Sequence, residues 1–274
     1  MPSKPQIKLI RSLHLKKVRK EYGLFVAEGS TNVLDLLTSP FNLQWLFGRD
    51  AWIERFADRL EGVNVQVASG KEMEMMSQLK SSSEVLAVFK LPEQPVFNFE
   101  QMDDYILALD DIRDPGNLGT IIRTADWFGI KTILCSHETV DAYNPKVIQA
   151  TMGSLSRVQV HHVDLKTVLS EMPVDIDVYG AYLHGEPVNK INKTGKGVIL
   201  IGSEAHGISK DYLPLITHKV TIPSFAKGKS GAESLNASAA TSILCYEFRR
   251  DYSRTTTFKH LKKITGVDFV RCET

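Results

Sequence analysis

The chain has 274 residues, 43% of them hydrophobic and 24% charged, and its 33 Lys and Arg nearly balance its 32 Asp and Glu for a formal net charge of +1. That length exceeds the usual single domain, the composition is that of a soluble globular protein, and the net charge by itself points to no polyanionic partner. Cys135, Cys245 and Cys272 stand apart without C-x-x-C spacing, and no apolar run approaches a membrane span or a signal-peptide core, so neither a disulfide framework nor a membrane location is expected and a reducing cytoplasm fits.

The charge is unevenly distributed. Residues 1–20 carry Lys4, Lys8, Arg11, Lys16, Lys17, Arg19 and Lys20 with no acid before Glu21, a block suited either to phosphate contact or to a solvated helix face. Ile7, Ile10 and Leu13 recur within it at helical spacing. The stretch GLFVAEG then reads as a strand, and STNVLDLLTS as a helix capped by Ser30 or Thr31 and carrying Val33, Leu34 and Leu37. LQWLFG, VNVQVAS and VLAVFK add short apolar runs with a helical MEMMSQL between them. Residues 1–90 therefore read as a small α/β unit, and 91–103, with two prolines and little periodicity, as a linker.

From Asp104 strands alternate with amphipathic helices: YILALD, LGTIIRTADWFG, IKTILC, NPKVIQATMG, RVQVHHV, a helix from Leu165, DVYGAYL, GVILIG, KVTIP and a last helix from about Ser234. This pattern predicts a largely parallel α/β sheet covered on both faces, with ligands beyond the carboxyl ends of its strands. A further basic region runs from Arg249 through Arg250, Arg254, Lys259, Lys262 and Lys263, and residues 251–274 read as a basic tail.

Three strand-end loops hold the unusual residues. In LDDIRDPGNLGTIIRTADWFG, Asn117 is placed to cap a helix, and Arg123, among Ile121, Ile122, Ala125 and Phe128, offers a guanidinium suited to phosphate or carboxylate. In VILIGSEAHGIS, Gly202 permits close approach of a backbone or a flat ligand, and Glu204 is suited to a hydroxyl, a cation or Arg123. His206 has no second His or Cys at ligand spacing, and the adjacent His161 and His162 point to opposite faces of a strand, so no metal site is expected. In the third loop, Gly228-Lys229-Ser230 ends like a phosphate loop, but Pro223 stands where the first glycine of that motif belongs and removes an N–H donor. The segment Ser234-Leu235-Asn236-Ala237-Ser238-Ala239-Ala240 opens a helix, with Ser234 as its expected cap.

Taken together, N-x-G-x-x-x-R from Asn117 to Arg123, I-G-x-E-x-x-G from Ile201 to Gly207, and Ile222-Pro223 followed by S-L-N-x-S-x-A from Ser234 resemble the three motifs of the SpoU (TrmH-like) branch of the SPOUT RNA methyltransferases. The resemblance covers about Asp104 to Arg250, and the preceding region looks like the small ribosomal-protein-like substrate-binding domain of many members. It implies a parallel-sheet domain over 104–250 with a deep trefoil knot, S-adenosylmethionine as cofactor, a homodimer, and methylation of a ribose 2′-hydroxyl in rRNA or tRNA. It places Ile201, Gly202, Ile222 and Leu235 at the cofactor, held chiefly through backbone groups. Asn117, Arg123, Glu204, Ser234 and Asn236 fall at the catalytic positions, with Glu204, Ser234 and Asn236 orienting Arg123 and the ribose. Ser203 departs from the asparagine common in the family, and the link from Ser224 to Ala232 is longer than usual, adding Lys227 and Lys229. A non-catalytic RNA-binding or assembly factor on the same scaffold is the alternative; a nicotinamide dehydrogenase lacks its G-x-G-x-x-G.

Overall fold

The structure is a computed structural model that describes residues 1–79, 81–93, 97–99, 102–225 and 233–250. Lys227, Lys229, Cys272 and the basic tail after Arg250 lie outside the described residues.

The N-terminal part runs α1 (Lys4–Ser12), α2 (Lys16–Tyr22), β1 (Leu24–Glu28), α3 (Ser30–Leu37), β2 (Leu43–Gly48), α4 (Asp50–Arg55), β3 (Val65–Val67), α5 (Gly70–Met76) and β4 (Val85–Lys90). The strands form one sheet in the order β1-β4-β2-β3, antiparallel except for β2 with β3. Alternation along the strands serves two cores. Val26, Phe47, Leu86 and Val88 pack with Ile7, Ile10, Met73 and Met76 of α1 and α5. Phe25, Ala27, Leu46, Ala87 and Phe89 face the other way, with Val33, Leu34 and Leu36 of α3. The cap of α3 is Gly29, at φ 87°, rather than Ser30 or Thr31, because the chain leaves β1 through a left-handed turn that glycine adopts without a steric penalty.

The C-terminal part runs β5 (Tyr105–Leu109), α6 (Pro115–Trp127), β6 (Thr132–Cys135), α7 (Pro145–Thr151), β7 (Gln159–His162), α8 (Leu165–Ser170), β8 (Val178–Pro187), β9 (Gly197–Ile201), β10 (His218–Thr221) and α9 (Ala237–Arg249). Its strands pair in parallel throughout, in the order β10-β8-β9-β5-β6-β7. One face buries Ala108, Leu134, Val198 and Leu200 with Leu165 and Leu169 of α8. The other buries Leu107, Ile133, Ile199 and Ile201 with α6, α7 and α9. Burial on both faces explains why the central strands read as unbroken apolar runs.

The topology locates the functional crevice. From β5 the chain builds outward to β6 and β7, then crosses to β8, and β9 fills the gap beside β5. Such a reversal opens a crevice at the carboxyl ends of the two central strands. From the edge strand β10 the chain returns to the centre, where α9 lies beside α6: Thr124 Oγ1 and Ser242 Oγ are 3.1 Å apart, and Phe248 meets Tyr105 and Tyr179 edge to face. Gly119 lets α6 approach α7 closely; a Cβ there would lie 2.4 Å from Cβ of Ala150.

The two sheets share one core. Phe25 of β1 contacts Tyr143 ahead of α7 at a centroid distance of 5.0 Å, and Val147, Ile148 and Leu155 join the same cluster. Polar contacts surround this seam. Asn32 accepts from the Gly153 N–H at 2.7 Å, and Arg157 bridges Asp35 and Asp126. Arg19 is 1% exposed and donates to both Asp141 Oδ2 and the carbonyls of Leu13 and His14. It is therefore a structural residue of the basic arm, whereas Lys4, Lys8, Arg11, Lys16, Lys17 and Lys20 are exposed. The start of the second basic region is likewise committed internally. Arg249 forms a forked ion pair with Asp104 at 2.6 Å and bonds the Phe128 carbonyl, and Arg250 pairs with Glu247. No helix among the described residues is long and apolar enough to cross a membrane.

Candidate active site

The loop after β5 is organised by three aspartates. Asp110 is buried and accepts the Ser209 N–H at 2.7 Å; burial pushes its carboxyl above the usual range. Asp111 adopts a left-handed backbone, φ 56°, its N–H on Ser136 Oγ and its carboxylate accepting from Arg113 Nε at 2.6 Å. That bond raises the Arg113 guanidinium further above its ordinary value. Asp114 caps α6 by accepting the Asn117 N–H at 2.8 Å, with Pro115 in the first turn. The expected cap, Asn117, is thus the third residue of the helix, in its first turn. An aspartate in extended backbone just ahead of proline satisfies the helix N-terminus first, which frees the asparagine side chain.

The loop after β9 folds back on itself. Ser203 and Gly207 exchange two backbone hydrogen bonds, at 3.1 and 2.8 Å, and a Cβ on Gly202 would sit 2.1 Å from the Gly207 carbonyl carbon. The close approach foreseen at Gly202 is that of this backbone. It turns Glu204 toward α6 and α9. The α9 helix begins at Ala237 and is capped by Asn236, whose Oδ1 accepts from the N–H groups of Ser238 and Ala239. Ser234, the expected cap, stands outside the helix in an exposed position.

These three loops meet at one carboxylate oxygen. Glu204 Oε1 accepts from Asn117 Nδ2 at 3.1 Å, Asn236 Nδ2 at 2.6 Å and the Ala237 N–H at 2.9 Å, and Asn236 Nδ2 also reaches Asn117 Oδ1 at 2.9 Å. Glu204 Oε2 takes no hydrogen bond among the described residues. Asn117, Glu204 and Ala237 of this cluster wall a cleft of about 220 Å³ that Asp111, Arg113, Asp114 and His206 also line. Asp111, Arg113 and Asp114 were not singled out in the sequence, and His206 was weighed there only as a metal ligand; the Asp-Pro pair at positions 114 and 115 is the signal that marks Asp114 as a cap.

Arg123 is not part of this cluster. Six residues beyond Asn117, it lies about 9 Å further along α6 and about 240° around its axis, so it faces away from Glu204 and Asn236. Its side chain is exposed and makes no hydrogen bond or ion pair among the described residues. Glu204, Ser234 and Asn236, expected to orient Arg123 and the ribose, make no hydrogen bond to the Arg123 side chain among the described residues. At the expected cofactor positions, Ile201 is buried at the end of β9 with its carbonyl already accepting from the Asp110 N–H, Ile222 is half-buried and Leu235 is exposed. The backbone groups of Gly202, Ile222 and Leu235 make no hydrogen bond to other described residues and remain available to a ligand. No group of three His, Cys, Asp or Glu able to hold a metal gathers among the described residues.

The model of the SpoU rRNA methylase family matches residues 104–246, just over half of the chain. The chain belongs to this family. The N-terminal part, residues 4–87, matches the MRM3-like substrate binding domain. The chain aligns nearly end to end with the 23S rRNA guanosine 2′-O-methyltransferase RlmP of Bacillus subtilis, 28% identical across 89% of this chain and 96% of that protein. Human mitochondrial rRNA methyltransferase 3 is 25% identical, over 85% of this chain and 69% of its own length. Among solved structures, an rRNA methyltransferase from Sinorhizobium meliloti with AdoMet bound superposes with a TM-score of 0.79, at 29% identity, covering 90% of this chain and 95% of that one.

Proposed function

We propose that the protein transfers the methyl group of S-adenosylmethionine to a ribose 2′-hydroxyl in RNA, with rRNA favoured over tRNA. The observation that carries this reading is the convergence of Asn117, Asn236 and the Ala237 N–H on Glu204, at the crevice between β5 and β9, in a chain of the SpoU family. Bound S-adenosylmethionine supplies an electrophilic methyl group on a sulfonium. The open backbone groups of Gly202, Ile222 and Leu235 suit its polar edge, where side chains are not required.

The chain's own work is orientation. A 2′-hydroxyl is a poor nucleophile and gains most from being held in line with the methyl group while its proton is removed. Glu204 Oε2 is free to accept from a ribose hydroxyl, and the two asparagines sharing Oε1 fix the carboxylate's plane. Arg123 keeps its proton under ordinary conditions, so its role is to position the RNA backbone and to stabilise the developing alkoxide. The exposed lysines of α1 and α2 form the RNA-gripping surface. We place the protein in the cytoplasm, where its buried thiols Cys135 and Cys245 stay reduced.

We further propose a homodimer in which Arg123 serves the cleft of the second copy. Two observations support it: Arg123 faces away from the cleft of its own chain, and it lies one turn from Trp127, 85% exposed, on α6, which packs on α9, where Ile243 and Tyr246 are exposed. Large apolar side chains exposed side by side mark a surface that another chain covers. Purified protein, labelled S-adenosylmethionine and unmodified total RNA test the whole reading. Label is expected as a 2′-O-methylated nucleotide in rRNA. Arg123→Ala is expected to bind the cofactor normally and to lose transfer, as is Glu204→Ala, and refolding the two inactive variants together is expected to restore activity. Activity in Arg123→Ala alone rejects its role, and RNA binding without cofactor binding favours the non-catalytic assembly factor.

A further inference from the structure

We infer that Arg113 is a substrate anchor: its guanidinium, braced by Asp111, grips the backbone phosphodiester next to the ribose being methylated. The inference rests on the methyltransferase reading of the cleft.

The first argument is electrostatic. Among the described residues three carboxylates, Asp111, Asp114 and Glu204, line the cleft, and Arg113 is the one Lys or Arg that does. Unscreened, those carboxylates repel a polyanion. Yet the 2′-oxygen and the 3′-phosphodiester sit on adjacent carbons of one ribose, so any pose that brings the hydroxyl to Glu204 brings a phosphate to the rim. Each carboxylate has its own internal duty. Asp114 caps α6, Glu204 holds the two asparagines, and Asp111 is bound to Arg113. Among the described residues that line the cleft within one chain, the arginine is the group left to meet this phosphate.

The second argument is geometric. Arg113 spends only Nε on Asp111, at 2.6 Å. Its two terminal nitrogens make no hydrogen bond among the described residues and present the fork that matches phosphate oxygens. The brace is rigid where the working end is open: the Asp111 side chain is 19% exposed and that of Arg113 76%. Asp111 holds a left-handed backbone that a non-glycine residue rarely adopts, fixed by its N–H on Ser136 Oγ, itself 3.3 Å from Thr139 Oγ1. A flexible surface arginine would lose much of its binding energy to ordering; this one is ordered before RNA arrives.

The test compares wild type, Arg113→Gln, Arg113→Lys and Asp111→Asn in steady-state methylation of rRNA over a range of salt, with cofactor affinity measured by calorimetry on each. Arg113→Gln is expected to raise KM for RNA about tenfold with little change in kcat, and to lower the slope of log affinity against log salt by about 1. Arg113→Lys keeps the slope but recovers only part of the affinity, because lysine lacks the fork. Asp111→Asn raises KM less and leaves the slope intact. Cofactor affinity stays at the wild-type value in all three. An active wild type with an unchanged KM and salt slope in Arg113→Gln overturns the inference alone, as does a loss of cofactor affinity in step with KM, which would mark a collapsed loop. A wild type that methylates no RNA while binding cofactor overturns the underlying reading instead.

Discussion

Asn236 does two jobs with one amide. Its oxygen caps α9, and its nitrogen donates to Glu204 and Asn117. Serine can take over the first job but not the second, since it caps helices about as well as asparagine yet cannot reach across with an NH2 group. Asn236→Ser is therefore expected to leave the melting temperature nearly unchanged while lowering kcat about 10²-fold, the scale of a misplaced reacting group. A calorimetric scan beside a single-turnover assay checks both halves; a fall in stability with intact transfer would reduce Asn236 to a cap. The residue types of this constellation were legible in the sequence, because Asn117, Glu204 and Asn236 sit in three spaced motifs. The caps were not. Ser234, Asn236 and Ser238 can each cap a helix, as can Asp114 and Asn117, and only the path of the loop decides which one does.

At the scale of elements, α6 shows where helix propensity yields to packing. Replacing Gly119 by alanine in an open helix would add about 1 kcal/mol of stability. Here the new Cβ would meet the Ala150 side chain at 2.4 Å and the Val147 carbonyl at 2.8 Å. Gly119→Ala is thus expected to destabilise the protein by about 1–3 kcal/mol, the usual effect of overpacking, measurable as a lower denaturant midpoint. Element types and order followed from periodicity, since β5, β9 and α6 carry unmistakable apolar patterns. Two features did not. The short α4 has one buried residue, Trp52, and so no periodic signal. The extension of β8 to Pro187 depends on a register shift against β10 between Lys219 and Val220, which strand pattern cannot encode. The face on which Arg123 emerges follows from helix geometry only once the start of α6 is known.

For the molecule as a whole, the Arg19–Asp141 pair shows how the two sheets are joined. Removing one partner leaves the other charge buried and unpaired, which costs about 3–5 kcal/mol. Arg19→Ala is expected to lower stability on that scale, with the wild type and the variant each unfolding in a single calorimetric transition. Two separate transitions in the wild type would show that the sheets are independent units. This seam was the least legible part of the chain. Arg19 looked like its six basic neighbours, because nothing local distinguishes a lysine that faces water from an arginine that meets an aspartate 122 positions away. A continuous core has a mechanical meaning as well. With Phe25, Val33 and Leu34 packed into the same cluster as Tyr143, Val147 and Leu155, the lysines of α1 and α2 and the cleft at Glu204 stand at a set separation, like the jaws of a calliper. Lengthening residues 91–103 would not extend that reach. RNAs whose gripped helix and target ribose lie at another spacing would be refused by dimension, with no need for the cleft to read the base.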